Sequence, residues 1–204
     1  MQSNKSGLFS GLREFGTELR VSIIATLSLA VLLCGFYPLV VWGLAQGLFP
    51  EQANGSLIVQ QGRIVGSSLL AQRFSGASYF HPRPCAAGDG YDAAASGGSN
   101  LGPTAQKLIE SVRQHVNRYR AENGLKDSDS VPADAVTTSA SGIDPHISRK
   151  NAMLQAHRVA RTRGMSEETI LGKIDAHTQG RELGILGEPC VNVLELNLDL
   201  DGRR

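Results

Sequence analysis

From Val21 to Pro50 the chain carries no charged residue, and Val21 to Leu44 is apolar through most of its length. About 20 such residues at ~1.5 Å rise cross the ~30 Å of hydrocarbon in a bilayer. The pattern therefore predicts a membrane-spanning helix over residues 21–48, after a tail formed by residues 1–20. Pro38 falls inside this stretch, where membrane helices tolerate proline better than soluble ones do. Tyr37 and Trp42 lie in its second half, where amphipathic rings suit an interface. A cleaved signal peptide would have a shorter apolar core, roughly 7–15 residues, ending at a small-x-small site. Ala45-Gln46-Gly47 is a poor site after too long a core, so the expectation is an uncleaved anchor.

After residue 50 the pattern changes to short periodic runs separated by turn residues. Gly55 to Gly66 reads as two short strands joined through a glycine-containing connection. Phe74 to Gly102 is dense in Gly, Ser, Ala, Asp and Pro, and is too long for an ordinary connection; such loops are usually functional or disordered. Leu108, Ile109, Val112, Val116 and Tyr119 share one face of a helix predicted from Pro103 to about Glu122, with Gly124 as its stop. Lys126 to Ser130 reads as a polar linker and Ala133 to Thr138 as a strand. Asp144 and Ser148 are successive N-cap candidates for a helix over Arg149–Arg163, closed by Gly164. Arg158, Arg161 and Arg163 in its last turns suit the negative end of the dipole. Ser166 caps a shorter helix running from Glu167 to about Ala176. Val191 to Leu200 reads as a closing strand whose parity breaks between 193 and 194, the sign of a bulge or of a strand entering from a buried edge. The fold class expected is α+β: a single N-terminal transmembrane helix, then a mixed domain over residues 50–204 around a small sheet.

Charge gives the orientation. Lys5, Arg13 and Arg20 precede the span, whereas Glu51 to Leu69 contains only Arg63 as a basic residue. The positive-inside rule then puts the N-terminus in the cytoplasm and the domain outside, which in a bacterium with two membranes is the periplasm. Beyond residue 20 the chain has 17 basic and 17 acidic residues. Zero net charge gives no electrostatic footprint for nucleic acid. Within the span, Ser22, Thr26, Ala30 and Cys34 recur every four residues, and Gly43 and Gly47 repeat the step beyond Pro38. Small residues allow the close approach on which helix packing in lipid depends, so this stripe predicts a partner helix.

Candidate chemistry is sparse. His81, Asp89, Asp92, Asp144 and His146 match no zinc spacing, so no metal site is expected. No nucleophile elbow, HExxH, Walker A or paired-cysteine signature occurs. Ser96-Gly97-Gly98-Ser99-Asn100 precedes a predicted helix and could cradle an anion on backbone N–H groups, but composition alone favours a flexible helix entry. Cys85 and Cys190 both fall in the external domain and are candidates for a disulfide closing a loop of about 100 residues. Pairing would require their Cα atoms to lie within about 7 Å.

Several stretches together resemble the C subunit of the Kdp potassium-transporting P-type ATPase. They are Tyr37-Pro38-Leu39-Val40, the run from Leu48 to Ser56, Tyr79-Phe80-His81-Pro82-Arg83-Pro84, Tyr91-Asp92 and the run from Ala95 to Pro103. Val131 to Thr137, Ser139 to Ser148, Ala152, Gln155, Arg158 to Ala160, Leu186-Gly187 and Val191 to Asn197 continue it. The resemblance implies a non-catalytic accessory subunit with no cofactor of its own in a complex that imports potassium, which with ATP is handled by the complex. Its implied partners are a channel-like potassium-binding subunit, an ATP-hydrolysing P-type subunit and a small single-span subunit, within membrane lipid. The family's C subunit is described as a chaperone raising ATP affinity, with Ser96, Gly97, Gly98, Ser99 and Asn100 likened to a nucleotide-binding signature. The charge pattern opposes direct contact, because it places this loop outside and ATP is inside. Bracing of the channel-like subunit, with any effect on ATP carried by coupling between sites, is the expectation. The rival reading is a membrane-anchored periplasmic enzyme or solute-binding module.

Overall fold

The computed structural model describes residues 5–202, with side-chain surroundings from residue 14 onward. Of the tail expected over residues 1–20, residues 1–4 therefore lie outside the described residues. The chain forms two compact units, Met1–Gly55 and Ser56–Arg204.

The first unit is one long helical run. Helix α1 spans Lys5–Ala30, passes into a π-helical segment at Val31–Phe36, and continues as α2, Tyr37–Leu48. Within it, Glu14–Leu48 is long and apolar enough to cross a membrane, and none of its most apolar stretch is buried inside the protein. Pro38 explains the π segment. Proline offers no N–H and its ring crowds the carbonyl four residues back, and a widened turn relieves that clash without breaking the helix. The widening shows directly, because the Tyr37 N–H bonds the Leu32 carbonyl five residues back. A short helix α3, Pro50–Ala53, then turns the chain, and its last residues are tied by Asn54 donating to the Pro50 carbonyl at 2.7 Å.

The second unit opens with a hairpin of β1, Leu57–Gln60, and β2, Arg63–Ser67. Gln61 and Gly62 turn it with positive φ at both positions (+49° and +75°), the pattern that matches strand twist. Its second sheet orders β3 (His146–Ser148), β5 (Cys190–Asn192) and β4 (Thr178–Gln179), all antiparallel. Helices α4 (Gln106–Asn123), α5 (Arg149–Arg163), α6 (Glu167–Ala176) and α7 (Val193–Leu200) pack around it. The fold is α+β, as the pattern predicted.

The main core joins Ala152, Ala156 and Val159 of α5 to Ile170 and Ile174 of α6, with Val191, Leu196 and Phe80. The small residues on α5 let α6 approach closely enough for both isoleucines to be fully buried. A smaller cluster holds α4 through Val112, Val116 and Tyr119 against Val136 and Leu154. Ile109, expected on the same face, is 44% exposed.

Four local expectations are corrected. Helix α4 starts at Gln106, three residues after Pro103. Ala133 to Thr138 is not a strand but a 3₁₀ turn over Ala133–Ala135, because the Thr137 hydroxyl bonds the Ala133 carbonyl at 2.7 Å and curls the chain. Asp144 does not cap α5; its carboxylate accepts the His146 N–H at 3.0 Å, and Ser148 alone is the cap. Val191 to Leu200 is strand only as far as Asn192, whose side-chain Oδ1 caps a helix by accepting the Leu194 and Glu195 N–H groups. The parity break at 193–194 was this switch of period. Val193, Leu196, Asn197 and Leu200 are buried at helical spacing.

Candidate functional site

The segment Ala77–Arg83 pairs with no strand, yet Phe80 within it is fully buried. A buried backbone must find partners, and here side chains supply them. Asn197 on α7 accepts the Phe80 N–H at 2.8 Å and donates to the Phe80 carbonyl at 2.9 Å. Gln155 on α5 does the same for His81, at 2.7 and 3.1 Å. One turn on, Arg158 donates to the carbonyls of Ala77 (2.6 Å) and Tyr79 (2.9 Å), and Arg163 to that of Ser78 (2.6 Å). Two helices thus hold an irregular segment as a sheet would hold a strand.

The clamp continues into a buried polar network. Gln155 donates to Asn151 Oδ1 at 2.9 Å, which also accepts the Tyr119 hydroxyl at 2.8 Å. Asn151 donates to Asp134 at 3.0 Å, and the other oxygen of that carboxylate takes the Ser148 hydroxyl at 2.9 Å. Arg158 is oriented by Asn123 (3.0 Å) and Gln155 (2.8 Å). Burial lowers the Arg158 pKa and raises that of Tyr119.

On the solvent side of this network lies a cleft of about 590 Å³, lined by His81, Cys85, Tyr91, His115, Arg118 and Glu122 among others. Burial holds the His81 pKa below 6.5, and the Arg158 charge lowers it further. Tyr91 is pushed up to about 12, chiefly by burial, and its hydroxyl donates to the Arg83 carbonyl at 2.8 Å. Glu122 is engaged by Arg118 at 2.7 Å and faces His81 at 3.5 Å. Arg83 bridges to Asp144 at 3.1 Å. The Asp144 pKa lies below its ordinary value, foremost through the hydrogen bond to the His146 ring.

The residues singled out in the sequence fall in separate places. In Ser96–Asn100 the two glycines are half-buried and the flanking residues exposed. Gly97 N–H and the Ser96 hydroxyl both donate to the Ser141 carbonyl, at 2.8 and 2.9 Å. Five residues separate the loop from the first residue of α4, so the loop does not form that helix's N-terminus. Gly142 (φ +72°) packs against it so closely that a Cβ there would overlap the Gly97 carbonyl oxygen. Ser22, Thr26 and Ala30 lie on α1, Cys34 in the π segment, and Gly43 and Gly47 on α2. His81, Asp89, Asp92, Asp144 and His146 do not converge; among the described residues no three His, Cys, Asp or Glu side chains gather as a metal site would need. The pairing that the sequence left open for Cys85 and Cys190 is not made, since both are free thiols. Cys85 Sγ is turned into its own loop, accepting the Tyr91 N–H at 2.8 Å, while Cys190 sits within the sheet opposite Ser148 and Gln179.

The sequence assigns no role to Gln155 or Asn197, and gives Arg158 and Arg163 only a place near the negative end of the helix dipole, whereas the structure turns both arginines onto the carbonyls of 77–79. The clamp's signal was present: Asn151, Gln155 and Arg158 recur at i, i+4 and i+7, on the α5 face that carries the buried positions. Polar residues in a helix's buried stripe must find partners; here that partner is a loop.

The family model of the K⁺-transporting ATPase c chain, KdpC, matches residues 19–202. The chain is 52% identical over 185 residues to the potassium-transporting ATPase KdpC subunit of Koribacter versatilis, covering 91% of this chain and 94% of that protein. It is 52% identical over 186 residues to the same-named subunit of Nitratidesulfovibrio vulgaris, covering 91% and 94%. With that of Myxococcus xanthus it shares 55% identity over 190 residues, covering 93% and 88%. Nothing in these likenesses supports the anchored enzyme or solute-binding module. The chain belongs to the KdpC family, an accessory subunit of the potassium-transporting ATPase complex.

Proposed function

We propose that this subunit is a non-catalytic brace, anchored by its helix with the N-terminus in the cytoplasm and the Ser56–Arg204 unit on the outer face. It carries no cofactor of its own. Its partners are the channel-like potassium-selecting subunit, the ATP-hydrolysing P-type subunit and the small single-span subunit. The stripe of Ser22, Thr26, Ala30 and Cys34, with Gly43 and Gly47, packs against a partner's membrane helix.

One observation carries the reading. The buried polar side chains Gln155, Arg158 and Asn197, with the half-buried Arg163, bond the backbone of the subunit's own segment 77–81. Such groups stiffen a domain rather than turn over a substrate. Ser96–Asn100 belongs to that rigid surface, since Gly97 already gives its N–H to Ser141. ATP affinity then changes through coupling across the complex, with no contact between loop and nucleotide.

Gly97→Arg tests this, because a Cβ at Gly97 meets nothing within 4 Å and the domain can accept it. The brace reading expects disturbed assembly or potassium dependence, with ATP affinity unchanged in whatever complex forms. Weakened ATP affinity with assembly intact, or crosslinking of a photoreactive ATP analogue to residues 96–100 in sealed oriented vesicles, would overturn it.

A further inference from the structure

The connection between β4 and β5, residues 180–189, is exposed at every position. It forms a small knuckle: Glu182 and Leu186 exchange both backbone hydrogen bonds at 2.9 Å, and Gly184 N–H bonds the Arg181 carbonyl at 3.1 Å. Both ends enter the three-stranded sheet, so the knuckle is held from two sides. Its tip presents Leu183, Ile185 and Leu186, which are 89%, 74% and 54% exposed.

Leu183 is the informative residue. Its φ is +52°, in the left-handed region where a side chain with Cβ is strained and glycine or asparagine is at ease. A buried leucine could offset that strain by packing, but this one contacts almost nothing in its own fold. The knuckle therefore holds a strained, preformed, apolar tip that gains its packing only outside the chain.

We infer that this knuckle is an anchor inserting into an apolar hollow with a basic rim on another subunit of the same complex. The inference rests on the reading of the chain as a bracing subunit. Glu182 and Glu188 flank the tip, exposed and without an ion pair among the described residues; with Arg181 beside them the knuckle keeps a net negative charge, which a basic rim complements. Two acids against the single Arg181 disfavour an anionic lipid surface, which would select a basic excess with Trp or Tyr around the leucines. A small tip of this kind contributes as a hot spot within a larger contact rather than as the whole interface.

The test uses the full-length chain co-expressed with the other subunits of its complex and purified in mild detergent. Leu183→Asn removes the apolar side chain and relieves the strained backbone. The expected result is a variant whose thermal unfolding is unchanged or raised, yet whose recovery with the large multi-span subunit falls at least tenfold. Ile185→Ser, at an unstrained position, should show the same loss of recovery. Wild-type recovery in both variants would overturn the knuckle's role, as would intact assembly with lost binding to phosphatidylglycerol vesicles. Failure of the wild-type chain itself to recover a multi-span partner would instead overturn the bracing reading.

Discussion

Asn197 and Phe80 are 117 residues apart in sequence, yet the Asn197 amide makes both hydrogen bonds that a neighbouring strand would make to Phe80, at 2.8 and 2.9 Å. This pairing turns the glycine- and proline-rich stretch 74–102 into a fixed wall of the domain. Asn197→Ala removes both partners while Phe80 stays buried, leaving a backbone N–H and C=O without water or protein. Each such group costs about 1–3 kcal/mol, so a loss near 3 kcal/mol is expected in chemical denaturation. A loss below about 1 kcal/mol would mean that the clamp is not what orders the segment.

Gly142 couples two loops, since any side chain there meets Gly97, and its φ of +72° already disfavours one. Gly142→Ala should destabilise the domain by at least ~2 kcal/mol. It should also expose the 96–100 backbone to hydrogen exchange at a rate the native protein does not reach. Native-like exchange at Gly97 would remove the coupling.

Acid should weaken the domain in two separable steps. Burial and Arg158 lower the His81 pKa in the fold, so the folded state prefers the neutral ring. The unfolded state binds the proton more readily, and stability is lost as pH falls from about 6.5 toward the lowered value. His81→Asn should flatten unfolding free energy across that window.

The second step belongs to Asp144, whose folded pKa is below 3.8 through His146 and Arg83. Its contribution is fully present above pH 3.8 and disappears as pH drops through the lowered value. Asp144→Asn should therefore be less stable than the native protein at neutral pH, with the difference closing in strong acid. A constant difference from pH 7 to pH 2 would contradict the assignment.

In the long apolar helix, Ala30→Leu should loosen assembly, whereas Leu29→Ile on another face should not. The readout is recovery of the complex from mild detergent. Equal behaviour of the two variants would remove the packing argument for the small-residue stripe.

The elements legible in the sequence are those whose causes are local. The apolar stretch from Val21 follows from transfer free energy residue by residue, and Pro38 announces the strain that the π segment at Val31–Phe36 absorbs. Ser148 and Gly164 bracket α5, and Ser166 starts α6, because a cap acts within one turn. Resemblance carried the family. Tertiary structure decided what depends on distant partners. The closing segment became α7 because Asn192 could cap it and Phe80 needed Asn197. Cys85 and Cys190 stay apart because each is fixed by a different part of the fold. Segment 77–83 has no periodicity of its own, and its order comes from four side chains on two helices. No local pattern of hydrophobic and polar residues records such bonds, since a hydrogen bond depends on where two groups meet and not on how far apart they stand in the chain.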